Sequence, residues 1–332
     1  MGGLQERIDR AASEHGFSGV VRIDRGGEAF ATAFGLAHRG YRVPNAVDTR
    51  FGLASGTKGF TALTIMGLVE DGTLTLETTA RSILGDDLPL IDDRVTVEQL
   101  LAHRSGIGDY FDEEIDRPIT AHVLPVPVHE LETIESHLRV LDGFPSKFAP
   151  GERFSYCNGG YVVLALIAER SSGVPFHDLV VRRVCEPAGL ADTAFPRSDE
   201  PGERVATGYL DGVGDRTNVL HLAVRGAGDG GIVSTGGDVR GLWTALFDGR
   251  IVPVEHVSEM IRPHSDAPEH ERRYGLGFWL HPTRDLVMLT GYDAGVSFRS
   301  VHDPADGATY TVLSNTSEGA WSVAEAFEPL DW

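Results

Sequence analysis

Ser55 and Lys58 are the residues whose types and spacing point most directly to covalent chemistry. On a helix, a spacing of three residues places both side chains on one face, one turn apart. A serine hydroxyl is a weak nucleophile that needs a neighbouring base, and a buried lysine can lose its proton and act as that base or as a relay. Free backbone N–H groups at the start of the helix would face a developing oxyanion. The pair could therefore support acyl transfer through a serine.

The spacing of Ser55 and Lys58 also has a simpler interpretation, because Ser-x-x-Lys occurs by chance as a capping serine and a solvated lysine. The use of lysine in this chain favours the chemical role. Lys58 and Lys147 are its only lysines, and arginine supplies every other side-chain cation apart from histidine. An amine can give up its proton whereas a guanidinium effectively cannot.

A second candidate group is Tyr156-Cys157-Asn158, just before a predicted helix over 159–170. Tyrosine can act as a general base when an ammonium stabilises its phenolate, and asparagine can hold a substrate amide with both a donor and an acceptor. Taken alone, the tripeptide also fits a core tyrosine followed by a capping asparagine.

The elements that must position these residues begin with a predicted helix over 4–14 and a hairpin that turns at Arg25-Gly26-Gly27. Residues 56–71 read as a helix that is apolar nearly all round and ends at Gly72, which is typical of a buried central helix. The polar, proline-rich stretch 112–130 is predicted to be a loop that forms a lid or rim.

After residue 200 the pattern changes to short strands. Thr235-Gly-Gly-Asp238 resembles a capping box with Asp in place of Glu. YGLGFWLHP, DLVMLTG, GVSFRSVHDP and ATYTVLSNT read as successive antiparallel strands before a final helix over 321–327. The prediction is a mixed α/β (α+β) fold, in which an antiparallel sheet from both chain ends is flanked by helices. Residues 1–72 and 201–332 would form the sheet domain and 73–200 an inserted helical domain, with the active-site cleft between them.

Composition excludes several classes of function. The net charge of −20 argues against binding to nucleic acid or to an anionic membrane surface. No apolar run is long enough to span a membrane, and the N-terminus lacks an apolar signal-peptide core. A cytoplasmic location is therefore expected, or export if a leader has been removed. Cys157 and Cys185 are expected to be free thiols, and no Cys/His spacing is typical of a zinc site.

Five segments occur together in a characteristic order: FGLASGTKGFTALTIMGLVEDGTLTL, LLAHRSGI, FAPGERFSYCNGGYVVLALIAERSSG, GGIVSTGGDVRGLW and YGLGFWL. From about residue 17 to 317 the chain resembles the class C β-lactamase-like and penicillin-binding-protein family, which includes β-lactamases, D,D-peptidases, D-aminopeptidases and esterases. The resemblance implies Ser55 as the nucleophile, Lys58 as its proton partner, Tyr156 as base and then acid, and Asn158 as a substrate contact. It implies no metal and no organic cofactor.

The third motif of that family departs from its usual pattern here. The family has Lys or His, then Thr, Ser or Gly, then Gly, whereas this chain reads Leu289-Thr290-Gly291-Tyr292. The resemblance implies that these residues contact substrate and that the Tyr292 N–H completes an oxyanion hole with that of Ser55. The missing basic residue would attract a substrate carboxylate, so uncharged esters or amides are favoured. Arg299 or Arg225 remains an alternative anchor.

The sequence therefore predicts a serine hydrolase that acts on small ester, amide or peptide substrates through an acyl-serine intermediate. The alternatives are a D-alanyl-D-alanine carboxypeptidase or β-lactamase with another carboxylate anchor, a penicillin-binding sensor that acylates without turnover, and a catalytically inactive scaffold. The oligomeric state is left open. Gly226-Ala-Gly-Asp-Gly-Gly231 matches a nucleotide-binding pattern literally but opens no helix, and His103 is interpreted as a satisfied, partly buried turn residue rather than a base.

Overall fold

The computed structural model describes residues 2–200 and 202–326. The strands are β1 (Gly19–Arg25), β2 (Glu28–Phe34), β3 (Leu36–His38), β4 (Val43–Pro44), β5 (Phe51–Gly52), β6 (Val233–Ser234), β7 (Ser265–Ala267), β8 (Arg272–Tyr274), β9 (Trp279–Leu280), β10 (Val287–Asp293), β11 (Val296–His302) and β12 (Thr309–Ser314). The α-helices are α1 (Gly2–His15), α2 (Thr57–Glu70), α3 (Ala80–Leu84), α4 (Val97–Leu101), α5 (Leu138–Leu141), α6 (Asn158–Ser172), α7 (Phe176–Val180), α8 (Glu186–Ala188), α9 (Gly236–Phe247), α10 (Val254–Met260) and α11 (Gly319–Glu325).

Eight strands form one antiparallel sheet in the order β2-β1-β12-β11-β10-β9-β8-β7. The N-terminal hairpin joins the last strand, with Gly19 opposite Ser314, so both ends of the chain build the sheet. Gly26 and Gly27 have φ angles of 60° and 81°, and a two-residue turn with both φ angles positive favours glycine. The predicted fold class is confirmed, and so is the predicted hairpin turn.

Alternate residues of the strands face two separate hydrophobic clusters. Val20 and Leu313 pack into a cluster with α2, α6 and α9, whereas Val21 and Val312 pack into another with α1 and α11. This two-residue period is what a sheet covered on both faces requires. The sheet is therefore the middle of three layers.

The two longest apolar helices, α2 and α6, lie at the centre of the larger cluster. Every residue of α2 from Thr57 to Leu68 is buried, and so is every residue of α6 from Asn158 to Ala168. A helix without a polar face is stable only when neighbours cover it all round. Both helices were predicted within two residues of their observed ends, and each carries site residues at its N-terminal end.

One predicted strand is wrong, because residues 274–282 form parts of two strands and a turn. β8 ends at Tyr274, and the Gly275 N–H donates to the Phe278 carbonyl at 2.9 Å. Gly277 has a φ of 91° and lies against α2, where an added Cβ would stand 2.2 Å from Ala62 Cβ. The turn is set by contact with α2, which the local pattern does not contain.

The predicted capping box is half present. The Asp238 N–H donates to Thr235 Oγ1 at 3.1 Å, so Thr235 caps α9 as predicted. The Asp238 carboxylate instead accepts from the Asp192 N–H and from Thr193 Oγ1, both at 2.8 Å. It therefore ties the start of α9 to the loop after α8.

The last predicted helix is observed as α11, and Phe327 of that prediction lies outside the described residues. Across residues 2–200 and 202–326, no helix is both long and apolar enough to cross a membrane. The division into domains at residues 72 and 200 stays a prediction.

Candidate active site

Ser55 lies in a single 3₁₀ turn, Ala54–Gly56, that leads directly into α2. Lys58 is 1% exposed, and its Nζ donates to Ser55 Oγ at 2.9 Å. The same Nζ donates to Asn158 Oδ1 at 2.7 Å and to the Asp229 carbonyl at 3.1 Å. Three acceptors match the three N–H bonds of an ammonium, so the burial of this charge is compensated. The structure brings the predicted pair into contact.

The turn that holds Ser55 packs against β10. Ala54 has a φ of 43°, a left-handed conformation that is strained for alanine. The Gly56 N–H donates to the Leu53 carbonyl at 2.8 Å, so the Ser55 N–H precedes the first hydrogen-bonded N–H of the turn. Gly291 lies so close that an added Cβ would stand 1.9 Å from the Leu53 carbonyl oxygen. Glycine at this position lets the backbone of β10 run beside the nucleophile.

Tyr156 is 8% exposed and hydrogen-bonds with Ser55. Its ring stacks on Trp279 with centroids 5.6 Å apart and an angle of 7°, and Lys58 Nζ lies 4.9 Å from its centroid. Burial, and then the charge of Glu113, raise the pKa of Tyr156 well above its usual value, while the bond with Ser55 opposes the shift. Tyr156 is therefore a neutral phenol at rest rather than a stabilised phenolate.

Asn158, the first residue of α6, is bound through both ends of its amide. Its Oδ1 accepts from Lys58, and its Nδ2 donates to the Phe111 carbonyl at 3.1 Å and to Glu113 Oε1 at 2.9 Å. The side chain thus joins α2, α6 and the loop after residue 110. Its predicted contact with substrate stays a prediction.

The residues of the third motif, Leu289, Thr290, Gly291 and Tyr292, all lie on β10. Leu289 is 2% exposed and packs on Gly59 of α2, where an added Cβ would stand 2.7 Å from Leu289 Cδ2. It faces the hydrophobic cluster, whereas Tyr292 is 41% exposed and donates from its hydroxyl to Glu318 at 2.6 Å. Their roles as substrate contacts stay predictions.

A cavity of about 260 Å³ opens at Ser55. Its wall includes Ser55, Asn158, Tyr292 and three carboxylates, Glu113, Asp229 and Asp293. Among the described residues, Arg197 is the only arginine or lysine that lines it, and it pairs with Glu132 at 2.6 Å and Asp199 at 2.9 Å. The two alternative anchors, Arg225 and Arg299, are not part of the wall.

Burial shifts the pKa values of three ionisable groups in the wall: Asp293, His122 and His137. Burial raises the pKa of Asp293 to about 7, and the charges of Asp229 and Glu113 act in the same direction. Burial lowers the pKa of His122 to about 4 and that of His137 below its usual range, so both imidazoles are uncharged at pH 7.

Sequence reasoning missed the groups that hold these side chains in place. The Asp109 carboxylate accepts from the N–H groups of Asn158 at 2.6 Å and Gly159 at 2.8 Å and so caps α6, and burial raises its pKa to about 7. Asp229 also accepts from the Tyr110 hydroxyl. The one available signal was the density of glycine over 226–231, because those residues form a wall of the cavity.

Within residues 2–200 and 202–326, no group of three or more His, Cys, Asp or Glu side chains is arranged to hold a metal ion. Both cysteines are free and buried, and Cys157 Sγ accepts from the Gly160 N–H at 3.3 Å as the N-cap of α6. This arrangement gives the thiol a structural position at the end of the helix.

Comparison with known proteins agrees with this arrangement. The family model for Beta-lactamase matches residues 4–329. Penicillin-binding protein 4* of Bacillus subtilis (strain 168) is 32% identical over 224 residues, which are 65% of this chain and 47% of that protein. Esterase EstB of Burkholderia gladioli is 35% identical over 219 residues, which are 63% of this chain and 54% of the esterase. The chain spans about half the length of these two curated relatives.

Structural similarity extends further than these two alignments. The crystal structure of a penicillin binding protein from Bacillus halodurans has a TM-score of 0.90 and 34% identity, covering 97% of this chain and 99% of that one. The fold of this chain is therefore that of a penicillin-binding protein. The chain belongs to the beta-lactamase family, and the resemblance seen in its sequence is confirmed.

Proposed function

We propose that the protein is a serine hydrolase in which Ser55 attacks an ester or amide carbonyl and forms an acyl-serine intermediate. The observation that carries this proposal is the 2.9 Å contact between Lys58 Nζ and Ser55 Oγ at the edge of a cavity of about 260 Å³. The backbone N–H groups of Ser55 and Tyr292 would bind the oxyanion. The close approach of β10 to the Ser55 turn supports their pairing.

The protonation states at rest suggest how the proton moves. Lys58 donates to Ser55 Oγ, which leaves the serine proton free to pass to the Tyr156 oxygen. Because Tyr156 is already protonated, its own proton passes at the same time to the leaving oxygen or nitrogen. Ser55 Oγ bonds to the carbonyl carbon, the bond to the leaving group breaks, and the proton count balances. The N–H donor of Lys58 stabilises Oγ as negative charge develops on it.

Deacylation follows the same path in reverse. A water molecule attacks the acyl carbon, its proton passes to Tyr156, and the proton of Tyr156 returns to Ser55 Oγ as the carboxylic acid leaves. Ser55 and Tyr156 then regain their resting protonation states. One proton carrier therefore serves both half-reactions.

The function is tested by labelling with a fluorophosphonate and by intact-mass measurement during turnover of a p-nitrophenyl ester. We expect one label on Ser55, none in Ser55→Ala, and an acyl-enzyme that clears as product forms. A label on another serine, with Ser55→Ala fully active, would contradict the mechanism. A stable acyl-enzyme without product would instead favour the penicillin-binding sensor.

Substrate charge is the second part of the proposal, and neutral esters or amides are preferred over carboxylate-bearing substrates. A carboxylate that enters a water-poor cavity loses solvation and needs a cationic partner. Leu289 supplies none, Arg197 is already paired with three carboxylates, and Asp229 is a further carboxylate in the wall.

The preference is measured as the ratio of kcat/KM for p-nitrophenyl butyrate to kcat/KM for nitrocefin or a D-Ala-D-Ala peptide. We expect the neutral ester to be favoured by roughly 100-fold or more, since an unpaired buried charge costs several kcal/mol. A protein that prefers nitrocefin would overturn this part of the proposal while leaving the Ser55 chemistry intact.

A further inference from the structure

His103 lies two residues after α4 and is 1% exposed, so it is more deeply buried than its sequence suggested. Its φ of 55° is in the left-handed region, which turns the chain sharply away from the helix. This turn brings both its backbone and its ring against the extended segment that carries Tyr156.

Two hydrogen bonds join His103 to the residues on either side of Tyr156. The Ser155 N–H donates to the His103 carbonyl at 2.9 Å, and the Cys157 N–H donates to His103 Nδ1 at 3.0 Å. One residue therefore holds the backbone before and after the phenol. Neither bond involves substrate or Ser55.

The His103 ring also packs directly on the phenol. Its centroid is 4.2 Å from that of Tyr156 at an angle of 32°, and Tyr161 and Tyr274 lie within 5.0 Å and 4.7 Å. Because Nδ1 accepts from Cys157, the proton of the neutral ring is on Nε2, which has no hydrogen-bond partner among the described residues. Burial, and then the charge of Lys58, hold the pKa of His103 well below its usual value.

An imidazole that only filled space at this position would be unfavourable, because its buried Nε2–H has no hydrogen-bond partner among the described residues. A buried N–H without a partner is destabilising, and a phenyl ring would avoid that cost. What the imidazole supplies is an aromatic face and an acceptor in one side chain, and both are used on the Tyr156 segment.

We propose that His103 is a positioning residue for Tyr156, which holds the phenol hydroxyl against Ser55 by binding the backbone on both sides of it and packing on its ring. This inference rests on the proposed role of Tyr156 as the proton carrier. His103 itself touches neither the substrate nor the reacting atoms.

Two substitutions separate the contacts of the imidazole. His103→Asn keeps an acceptor at the place of Nδ1 and removes the ring, whereas His103→Phe keeps a ring and removes the acceptor. Asparagine tolerates the left-handed φ and phenylalanine does not, so melting temperatures are measured and rates are compared only for folded protein. His270→Asn is the matched control, because His270 is exposed and its ring lies 5.0 Å from Trp279.

Each variant is made in the wild-type chain and in Tyr156→Phe. The measurements are kcat and KM for a p-nitrophenyl ester and the rate of fluorophosphonate labelling. We expect His103→Phe to lower kcat and the labelling rate by about 10- to 100-fold with KM nearly unchanged, since misplacement by about 1 Å costs this much. His103→Asn should recover most of the loss, and His270→Asn should match wild type. In the Tyr156→Phe background, His103→Phe, His103→Asn and His270→Asn should all have the same kcat and the same labelling rate, because the hydroxyl that His103 positions is absent.

Two results would overturn the proposal: wild-type rates in His103→Phe, or equal losses in both backgrounds, which would mean that His103 supports only the fold. If Tyr156→Phe alone keeps wild-type rates, the proton relay fails and this inference falls with it. The single Tyr156→Phe variant therefore distinguishes failure of the relay from failure of the positioning role.

Discussion

Lys58 Nζ meets a hydroxyl, an amide oxygen and a backbone carbonyl that converge on one atom. An ammonium is a compact charge with three donors, whereas a guanidinium spreads five donors over a rigid plane. With only 1% of the residue exposed, there is no room for the larger group without moving α6 or the glycine-rich wall. The presence of lysine rather than arginine at this position is thus explained by geometry.

Replacing Lys58 with arginine or with alanine should lower kcat for a neutral ester by at least about 100-fold in each case. Arginine preserves the charge but cannot place three donors on one point, so it should fail nearly as badly as alanine. Lys147→Arg is the matched control, because Lys147 pairs with Asp112 and Glu114, which arginine can also bind. A Lys58→Arg protein within a few-fold of wild type would show that charge alone suffices.

The contacts of the site that could be predicted from sequence are those between residues only a few positions apart in the chain. Ser55 and Lys58 are three residues apart, so helix geometry alone brings them together. Asn158 meets Asp109 and Glu113 across 49 and 45 residues, through loops with no periodic pattern. Contacts of that kind depend on tertiary packing, which is why Asp109 and Glu113 were not found.

At the scale of elements, the glycine-rich segment 226–231 shows how close packing sets composition. An added Cβ at Gly228 would lie 2.1 Å from the Tyr161 carbonyl oxygen of α6, and one at Gly226 would lie 2.3 Å from the Gly230 carbonyl oxygen. The segment also places the Asp229 carbonyl on Lys58 and the Gly228 carbonyl on Thr61 Oγ1. Glycine is needed here so that this segment of backbone can pack closely against both α2 and α6.

Gly228→Ala should lower the free energy of unfolding by about 1–3 kcal/mol, as for overpacking in a core, and should reduce kcat because Asp229 shifts with it. Gly237→Ala is the matched control, since Gly237 is an exposed residue of α9 whose nearest neighbour to an added Cβ is Thr235 Oγ1 at 3.6 Å. That change should leave stability equal or raise it by up to about 1 kcal/mol. Urea unfolding measures the free energy of unfolding of both variants. Equal changes in Gly228→Ala and Gly237→Ala would contradict the packing argument.

Elements with a strong local sequence pattern were predicted correctly. Elements whose conformation depends on contact with another element were not. The apolar runs of α2 and α6 and the Gly-Gly hairpin carry their own structural signal. The turn at Gly277 exists because α2 lies beneath it, and β7, with only three residues, has no pattern that distinguishes it from the surrounding polar loop.

At the scale of the whole molecule, burial sets the charge states of ionisable groups in two opposing ways. Burial is the first cause of lowered pKa values in a set of histidines: His103, His122, His137, His177 and His302. It raises the pKa values of Asp109 and Asp293 to about 7. A buried histidine binds fewer protons in the folded than in the unfolded chain, so its contribution to stability is lost as pH falls from about 6.5 to about 4. The two aspartates act oppositely, because their contribution is lost as pH rises from about 4 to about 7.

Because the buried histidines outnumber the two aspartates, the free energy of unfolding should fall as pH is lowered from about 6.5 towards 4.5. His302 tests the cause, since burial lowers its pKa to about 4 and its ring stacks on Trp243 with centroids 5.5 Å apart. His302→Phe keeps an aromatic ring there and should reduce the pH slope by up to about 1.4 kcal/mol per pH unit, the value for one proton. Urea unfolding at a series of pH values measures the slope. The exposed His15→Asn is the control and should keep the wild-type slope. A slope unchanged in His302→Phe would mean that His302 takes up its proton over the same pH range in the folded and the unfolded chain.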